Sequence, residues 1–225
     1  MISVLAAILI PALQAVRNRS KVTQEVSNLR QIGVGLSLYI SDNQGSYPFI
    51  NMDPKEMNNP DALPDGYWNT QLAEYLPHQV AMDDQASVFQ SPLIDKEHRH
   101  PISDYGANYL IFLDGNPGNP GRATQRLKSV SIPEPARKAA VMTAWARPAG
   151  DREGNWVASW LVEYSYAHTG SANNMPHPRI NSLPSASASV SSMTGEVGVL
   201  FCDGHVDTIE WAKFHENRKE YLLIE

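Results

Sequence analysis

Residues 2–16 read ISVLAAILIPALQAV, and residues 17–45 continue as RNRSKVTQEVSNLRQIGVGLSLYISDNQG. The first segment contains no charged residue, whereas the second is polar and keeps apolar residues at steps of three and four. Such spacing places one apolar stripe along a helix. The stripe consists of Val22, Val26, Leu29, Ile32, Leu36 and Ile40. The two segments together predict one long helix, from about residue 3 to residue 43.

The predicted end of this helix lies at Asp42-Asn43-Gln44-Gly45. Gly45 is suited to the left-handed conformation that closes many helices, and Pro48 follows shortly. At about 1.5 Å per residue the helix is about 60 Å long, whereas a head formed by the remaining residues is about 35 Å across. We therefore expect the second half to pack on the head and the first half to be buried elsewhere. Pro11 is expected to kink the first half or to open it locally, since proline removes a backbone hydrogen bond.

The apolar segment is shorter than the roughly 20 residues of a spanning helix. It does not resemble a secretory signal, because no basic residue precedes it and no clear cleavage site follows. Three interpretations remain: a buried core helix, an interfacial helix, or the rear of a membrane segment whose front lies outside this sequence. The amphipathic continuation favours the third.

The net charge and the cysteine count argue against several kinds of binding site. The net charge is −6, which argues against nucleic-acid binding. A basic group occurs locally, set against the single acidic residue Glu25. We expect the basic residues to form a solvated helix face, with lipid headgroups or a partner subunit as the alternative contact. The basic group consists of Arg17, Arg19, Lys21 and Arg30. Cys202 is the only cysteine, so an intrachain disulfide and a two-cysteine zinc site are both excluded.

The chain divides into residues 1–45, with an apolar half 2–16 and an amphipathic half 17–43, and a globular α+β head, 46–225. The chain contains 16 prolines and 14 glycines, which indicate many turns and suit a head of short strands and loops. The head also has a Ser/Ala/Pro-rich loop at about 171–195. Asp203-Gly204 between two β-rich runs predicts a hairpin with a type I′ turn. The other predicted elements are a short helix at 68–76, strands at 103–112 and 139–144, a strand pair or bent strand at 156–166, and loops at 52–66, 116–121 and 182–192.

Several of these segments resemble type IV pilin-like and type II secretion pseudopilin-like proteins, most of all those of planctomycete- and verrucomicrobia-type bacteria. The resemblance covers the apolar run, SNLRQIG at 27–33, YISDNQG at 39–45 followed by Tyr47-Pro48, and the final hairpin. SDYGANY at 103–109 is similar to a head segment of these proteins. Ser91 stands where they carry the cysteine of Phe-x-Cys-Pro.

The resemblance implies a pilin-like fold, with a long N-terminal helix packed on a small antiparallel sheet. Such proteins begin with a short basic leader and a Phe-Thr-Leu-Ile-Glu-type motif, so we expect a leader and the start of the helix to precede Met1. They also place a histidine shortly before Asp-Gly, and His168 is the candidate here, with 173–194 as an insertion. The head motif implied is His168, Cys202, Asp203, Gly204 and His205.

The implied function is that of a non-enzymatic structural subunit of a pilus or of a type II secretion-like pseudopilus, which serves protein transport. Its partners would be copies of itself or other pilins, the inner-membrane assembly machinery and the bilayer, with no nucleic acid. The head would lie in the periplasm or on an extracellular filament. The alternative is a membrane-tethered or soluble surface module that binds carbohydrate or polymer. The expected assembly residues are Ile2, Val4, Leu5, Ile8, Leu9, Ile10, Pro11, Leu13 and Val16.

The polar residues of the final hairpin are the main candidates for a metal site or an active site. Asp203 and Asp207 are candidate calcium ligands, and calcium is the only cofactor considered. In the structural alternative, their carboxylates bind local backbone amides. A hydrolase would pair Cys202 with His168 or His205, but Cys202 is expected inside an apolar strand as a small buried hydrophobe. No serine-hydrolase, zinc-protease or phosphate-loop motif occurs, so we expect no active site.

Overall fold

The computed structural model describes residues 2–51, 66–76, 87–94, 99, 103–115, 123–146, 157–158, 161–162, 175–180 and 193–224. Its helices are α1 (Ile2–Asp42), α2 (Trp68–Gln71), α3 (Trp211–Glu216) and α4 (Arg218–Leu222). Its strands are β1 (Tyr105–Asn108), β2 (Ala139–Ala146), β3 (Val157–Ala158), β4 (Leu161–Val162), β5 (Met175–Pro176), β6 (Glu196–Phe201) and β7 (Val206–Glu210). Single 3-10 turns occupy Ala73–Tyr75, Ser129–Ser131 and Pro135–Arg137.

The long helix is confirmed within one residue at each end. α1 contains 41 residues, which corresponds to about 61 Å, and it continues through Pro11. Beyond its end, the Gly45 amide donates to the Ile40 carbonyl at 2.8 Å. Gly45 has the predicted left-handed conformation, with φ of 78°, and Gln44 shares it with φ of 57°. The left-handed pair therefore ends the helix and turns the chain towards the head.

The head half of α1 packs on the sheet through the predicted stripe. Leu29, Ile32 and Leu36 are buried, while Val22, Val26 and Ile40 are half-buried. Two glycines allow the close approach of helix and sheet. A Cβ added at Gly33 would lie 2.8 Å from Leu200 Cδ1, and one at Gly198 would lie 2.9 Å from Leu29 Cδ1.

The sheet has the strand order β4-β1-β2-β6-β7, and β3 and β5 pair with β2 as well. All pairs are antiparallel except β1 with β4, so the fold is α+β with a mainly antiparallel sheet. The region 156–166 does supply two strands. They take different neighbours, however: Ala158 pairs with Trp145 of β2, whereas Leu161 pairs with Ala107 of β1.

The two faces of the sheet carry separate cores. On β6, Gly198 and Leu200 face α1, whereas Val197, Val199 and Phe201 belong to the opposite core. That second core is covered by the C-terminal helices through Trp211, Phe214 and Leu222. α3 and α4 were not predicted from the sequence. The sheet is therefore enclosed between α1 and α3–α4.

The short helix at 68–76 is confirmed as α2 followed by a 3-10 turn, with Leu72 and Leu76 buried and Tyr75 half-buried. The predicted loops at 116–121 and 182–192 lie outside the described residues, as do residues 52–65 of the first loop.

The final hairpin is confirmed, but its predicted turn type is wrong. Strands β6 and β7 pair from Glu196 with Glu210 to Leu200 with Val206. A type I′ turn needs positive φ at both Asp203 and Gly204, and only Gly204 has it, with φ of 92°. The Phe201 amide donates to the His205 carbonyl at 2.9 Å, which leaves a three-residue loop with a left-handed glycine. Cys202 lies in this loop, half-buried, and not inside the strand as expected.

Candidate assembly surface

The free end of α1 carries four of the seven large hydrophobic side chains that are exposed in the described chain. All side chains from residue 9 to residue 21 are exposed. Leu9 is 64% exposed, Ile10 57%, Leu13 50% and Val16 64%. Contiguous exposed apolar side chains of this size mark a surface that interacts with another molecule.

These four side chains occupy one side of the helix. At about 100° per residue, Leu9, Ile10, Leu13 and Val16 fall within an arc of about 120°. We call residues 9–16 the apolar end. Ile2, Val4, Leu5 and Ile8 extend the same helix, but their side chains lie outside the described part of the structure. Within the described residues, no helix combines the length and the apolarity needed to cross a membrane.

Arg17, Arg19, Lys21 and Arg30 are all exposed, as expected for a solvated helix face. Glu25, by contrast, lies where α1 enters the head. The side chain is fully buried. The Ser91 hydroxyl donates to Glu25 Oε2 at 2.6 Å, and the Tyr105 hydroxyl donates to the same oxygen at 3.0 Å. Arg179 Nη1 lies 3.8 Å from Oε1. These partners explain the burial, because a buried carboxylate needs hydrogen-bond donors and an opposite charge.

A second carboxylate extends this cluster. Asp104, also fully buried, accepts the Ser91 amide at 2.8 Å and lies 3.8 Å from Arg99 Nε. The Arg179 guanidinium donates to the Asp104 backbone carbonyl at 2.6 Å. The two carboxylates therefore face two guanidinium groups. We call Glu25, Ser91, Asp104, Tyr105 and Arg179 the buried polar cluster.

The electrostatic environment of the cluster keeps Tyr105 protonated beside the carboxyl group of Glu25. Burial raises the pKa of Glu25, and this outweighs the opposing effects of Arg179, Ser91 and Tyr105. Burial also raises the pKa of Tyr105 well above its ordinary value, and the neighbouring Glu25 charge adds to the shift. Burial lowers the pKa of Arg179, while Glu25 and Asp104 oppose that shift. Tyr105 thus remains a hydrogen-bond donor to Glu25 at neutral pH.

Sequence reasoning missed this cluster, although part of its signal was present. Glu25 stands four residues before Leu29 and seven before Ile32, so it lies on the buried stripe. Ser91 and Tyr105 fall in segments that carry the pilin resemblance. Arg179 had no local signal, because its position depends on β5 pairing with β2.

His177 is a second buried polar group close to the cluster. Its ring is fully buried, with its centroid 4.8 Å from that of Trp145. Burial lowers the pKa of His177 well below 6.5, and the positive charge of Arg179 lowers it further. The imidazole is therefore neutral at neutral pH.

At the hairpin, the carboxylates of the candidate calcium site bind local groups. The Asp203 carboxylate accepts the His205 amide at 3.1 Å and lies 2.6 Å from His205 Nδ1. Asp207 accepts the Thr208 amide at 2.8 Å. Desolvation raises the pKa of Asp203, but its hydrogen bonds to the His205 amide and ring, the His205 charge and a bond from its own amide together lower the pKa by more. Among the described residues, no group of three or more His, Cys, Asp and Glu side chains is placed to hold a metal ion, and calcium binding stays a prediction.

The proposed nucleophile pair is only partly within the described chain, because His168 lies outside it. The Cys202 carbonyl accepts the Tyr47 hydroxyl at 3.3 Å. Burial raises the pKa of the Cys202 thiol to about 12, so it is protonated at neutral pH. A thiol in this state is a weak nucleophile, since the thiolate is the reactive form.

No family model matches the chain, and neither a curated protein nor a solved structure matches it. Function must therefore be inferred from the residues of this chain. The pilin resemblance stays a prediction.

Proposed function

We propose that the chain is a structural subunit of a pilus or of a type II secretion-like pseudopilus. The apolar end of α1 joins neighbouring subunits, and the head contacts further partners. The subunit is anchored in the inner membrane before assembly, with its head in the periplasm, and it then enters a filament of copies or of related pilins.

The observation that carries this proposal is the contrast between the two halves of α1. In the head half, Leu29, Ile32 and Leu36 are at most 4% exposed. In the free half, Leu9, Ile10, Leu13 and Val16 are all at least half exposed. The same helix is therefore anchored in its own head at one end, whereas at the other end its apolar face has no partner among the residues that the structure describes.

Bundling of these free ends supplies the energy of assembly. Burial of apolar surface contributes about 25 cal/mol per Å², so the contribution grows with the area that neighbouring helices remove from water. The buried polar cluster joins the head half of α1 to the head through Ser91, Tyr105 and Arg179. The resemblance of the N-terminal 48 residues to pilin-like proteins gives this arrangement its filament interpretation.

The test places charges on the apolar end of the full chain in its native host. We expect Leu9→Glu with Leu13→Glu to remove the protein from sheared surface filaments and to abolish cross-links between copies. Because both side chains are already exposed, the melting temperature of the purified protein should stay within a few degrees of wild type.

Val130→Glu is the matched control, since Val130 is 91% exposed but lies on the head. It should leave both filaments and melting temperature unchanged. Wild-type amounts of filament from the L9E/L13E protein would overturn the proposal.

A further inference from the structure

Three basic residues follow directly on the apolar end. Arg17, Arg19 and Lys21 are all exposed. They span only about 6 Å along the helix axis. Residues 2–24 contain no acidic side chain, and Glu25 itself is buried in the polar cluster. We call Arg17, Arg19 and Lys21 the basic ring.

The three charges surround the helix at one level. At about 100° per residue, Lys21 lies about 40° from Arg17, whereas Arg19 lies about 200° from it, on the opposite side. A neighbouring helix that packs on one side would reach only part of this set. A bilayer surface surrounds an inserted helix and reaches all three residues.

The basic ring is also electrostatically unsatisfied within the described chain, where none of its three side chains has an ion-pair or hydrogen-bond partner. Other basic residues are paired: Arg99 with Asp104, and Arg137 with Glu134. The chain as a whole carries a charge of −6, so it is repelled by anionic surfaces except at such a basic site. Local positive charge beside exposed apolar residues complements an anionic membrane surface.

The lengths agree with this arrangement. From Ile2 to Val16 the helix rises about 21 Å, which exceeds half of a hydrocarbon core of about 30 Å. An inserted apolar segment therefore reaches beyond one leaflet while residues 17–21 remain at headgroup level. Long basic side chains at this depth extend their charges into the polar interface.

We infer that the basic ring binds the anionic phospholipid headgroups of the bilayer into which the apolar segment inserts. This inference rests on the membrane stage of the proposed function and names the lipid class that the subunit contacts there. It also assigns a role to basic residues that follow the apolar segment.

The test measures binding of the full chain to vesicles of phosphatidylcholine, with and without about one third phosphatidylglycerol. Since each basic residue near an anionic surface contributes about fivefold, we expect the anionic vesicles to be bound on the order of a hundredfold more tightly. The preference should decrease as salt is added. The variant R17Q/R19Q/K21Q should lose the preference and still bind neutral vesicles.

The matched control is R30Q/K213Q/K219Q, which removes the same charge from exposed positions outside the basic ring. It should keep the preference for anionic vesicles. Equal binding of wild type to both vesicles, or an unchanged preference in the ring variant, would overturn the inference alone. Binding of wild type to neither vesicle would overturn both the inference and the membrane stage of the proposed function. If the ring variant keeps its vesicle preference but fails to form filaments, the basic ring binds a subunit and the inference is wrong.

Discussion

The hydroxyl of Ser91 donates a 2.6 Å hydrogen bond to the carboxylate of Glu25, although the two residues are 66 positions apart in the chain. Both side chains are fully buried. The bond therefore joins α1 directly to the segment that precedes β1. Because the Ser91 amide also donates to Asp104, one serine connects the two buried carboxylates. This relation fixes the register of α1 on the head.

Removing Arg179 should destabilise the head strongly. In Arg179→Met, Glu25 and the Asp104 carbonyl lose a buried cationic partner. Breaking a buried ion pair on one side costs about 3–5 kcal/mol, because an unpaired charge remains. We expect urea denaturation at pH 7 to show a loss of this size in the free energy of unfolding.

Two further variants separate the ion pair from general packing. Glu25→Gln in the R179M background should recover part of the loss, since it removes the unpaired charge. Arg137→Met is the control, because the exposed pairs of Arg137 contribute at most about 1 kcal/mol. A loss below about 1 kcal/mol in R179M would show that Glu25 does not depend on Arg179.

Periodicity explains why α1 could be predicted and the buried polar cluster could not. The stripe of Leu29, Ile32 and Leu36 repeats within a single helix, so its burial is visible in the local sequence. The partners of Glu25 come from the segment before β1, from β1 itself and from beyond β5. No local sequence pattern predicts such long-range contacts. The basic neighbours of Glu25 lie on the solvated face, whereas its spacing to Leu29 places Glu25 on the buried one.

The C-terminal helices and the type of the hairpin turn could not be predicted either, because they also depend on contacts outside the local sequence. α3 has six residues and α4 has five, which is too short for a clear helical period. They are stabilised by packing of Trp211, Phe214 and Leu222 on the far face of the sheet. The Asp203-Gly204 pair predicted a hairpin correctly. The loop length was set by the pairing of Phe201 with His205, which the dipeptide does not determine.

Acid should destabilise the protein through His177. The folded state holds this imidazole with a pKa well below 6.5, so the unfolded chain binds its proton first as the pH falls. Stability is therefore fully present above about pH 6.5 and declines below it, by about 1.4 kcal/mol per pH unit for one such group. Glu25, whose pKa is raised, acts in the opposite sense above about pH 4.5.

The variant His177→Phe keeps a ring beside Trp145 and removes the titrating group. Urea denaturation from pH 8 to pH 5 should show a shallower decline below pH 6.5 for H177F than for wild type. The comparison is made relative to each protein at pH 8, which removes any constant packing difference. Parallel curves over this range would contradict a titrating role for His177.

Cys202 should react slowly with alkylating reagents in the folded protein. Burial raises the pKa of its thiol from 9.0 to about 12. At neutral pH this lowers the thiolate fraction about a thousandfold, and alkylation proceeds through the thiolate. Because Cys202 is the only cysteine, the mass increase after iodoacetamide treatment reports this one site. We expect alkylation of the folded protein at pH 7.5 to be at least a hundredfold slower than that of the urea-unfolded chain, which serves as the matched control for reagent and sequence.

Tyr47→Phe, which removes the hydroxyl that donates to the Cys202 carbonyl, should keep the folded rate low, since burial is the main cause of the shift. Rapid alkylation of the folded wild-type protein would instead indicate a reactive thiolate, and it would favour the hydrolase alternative over a purely structural subunit.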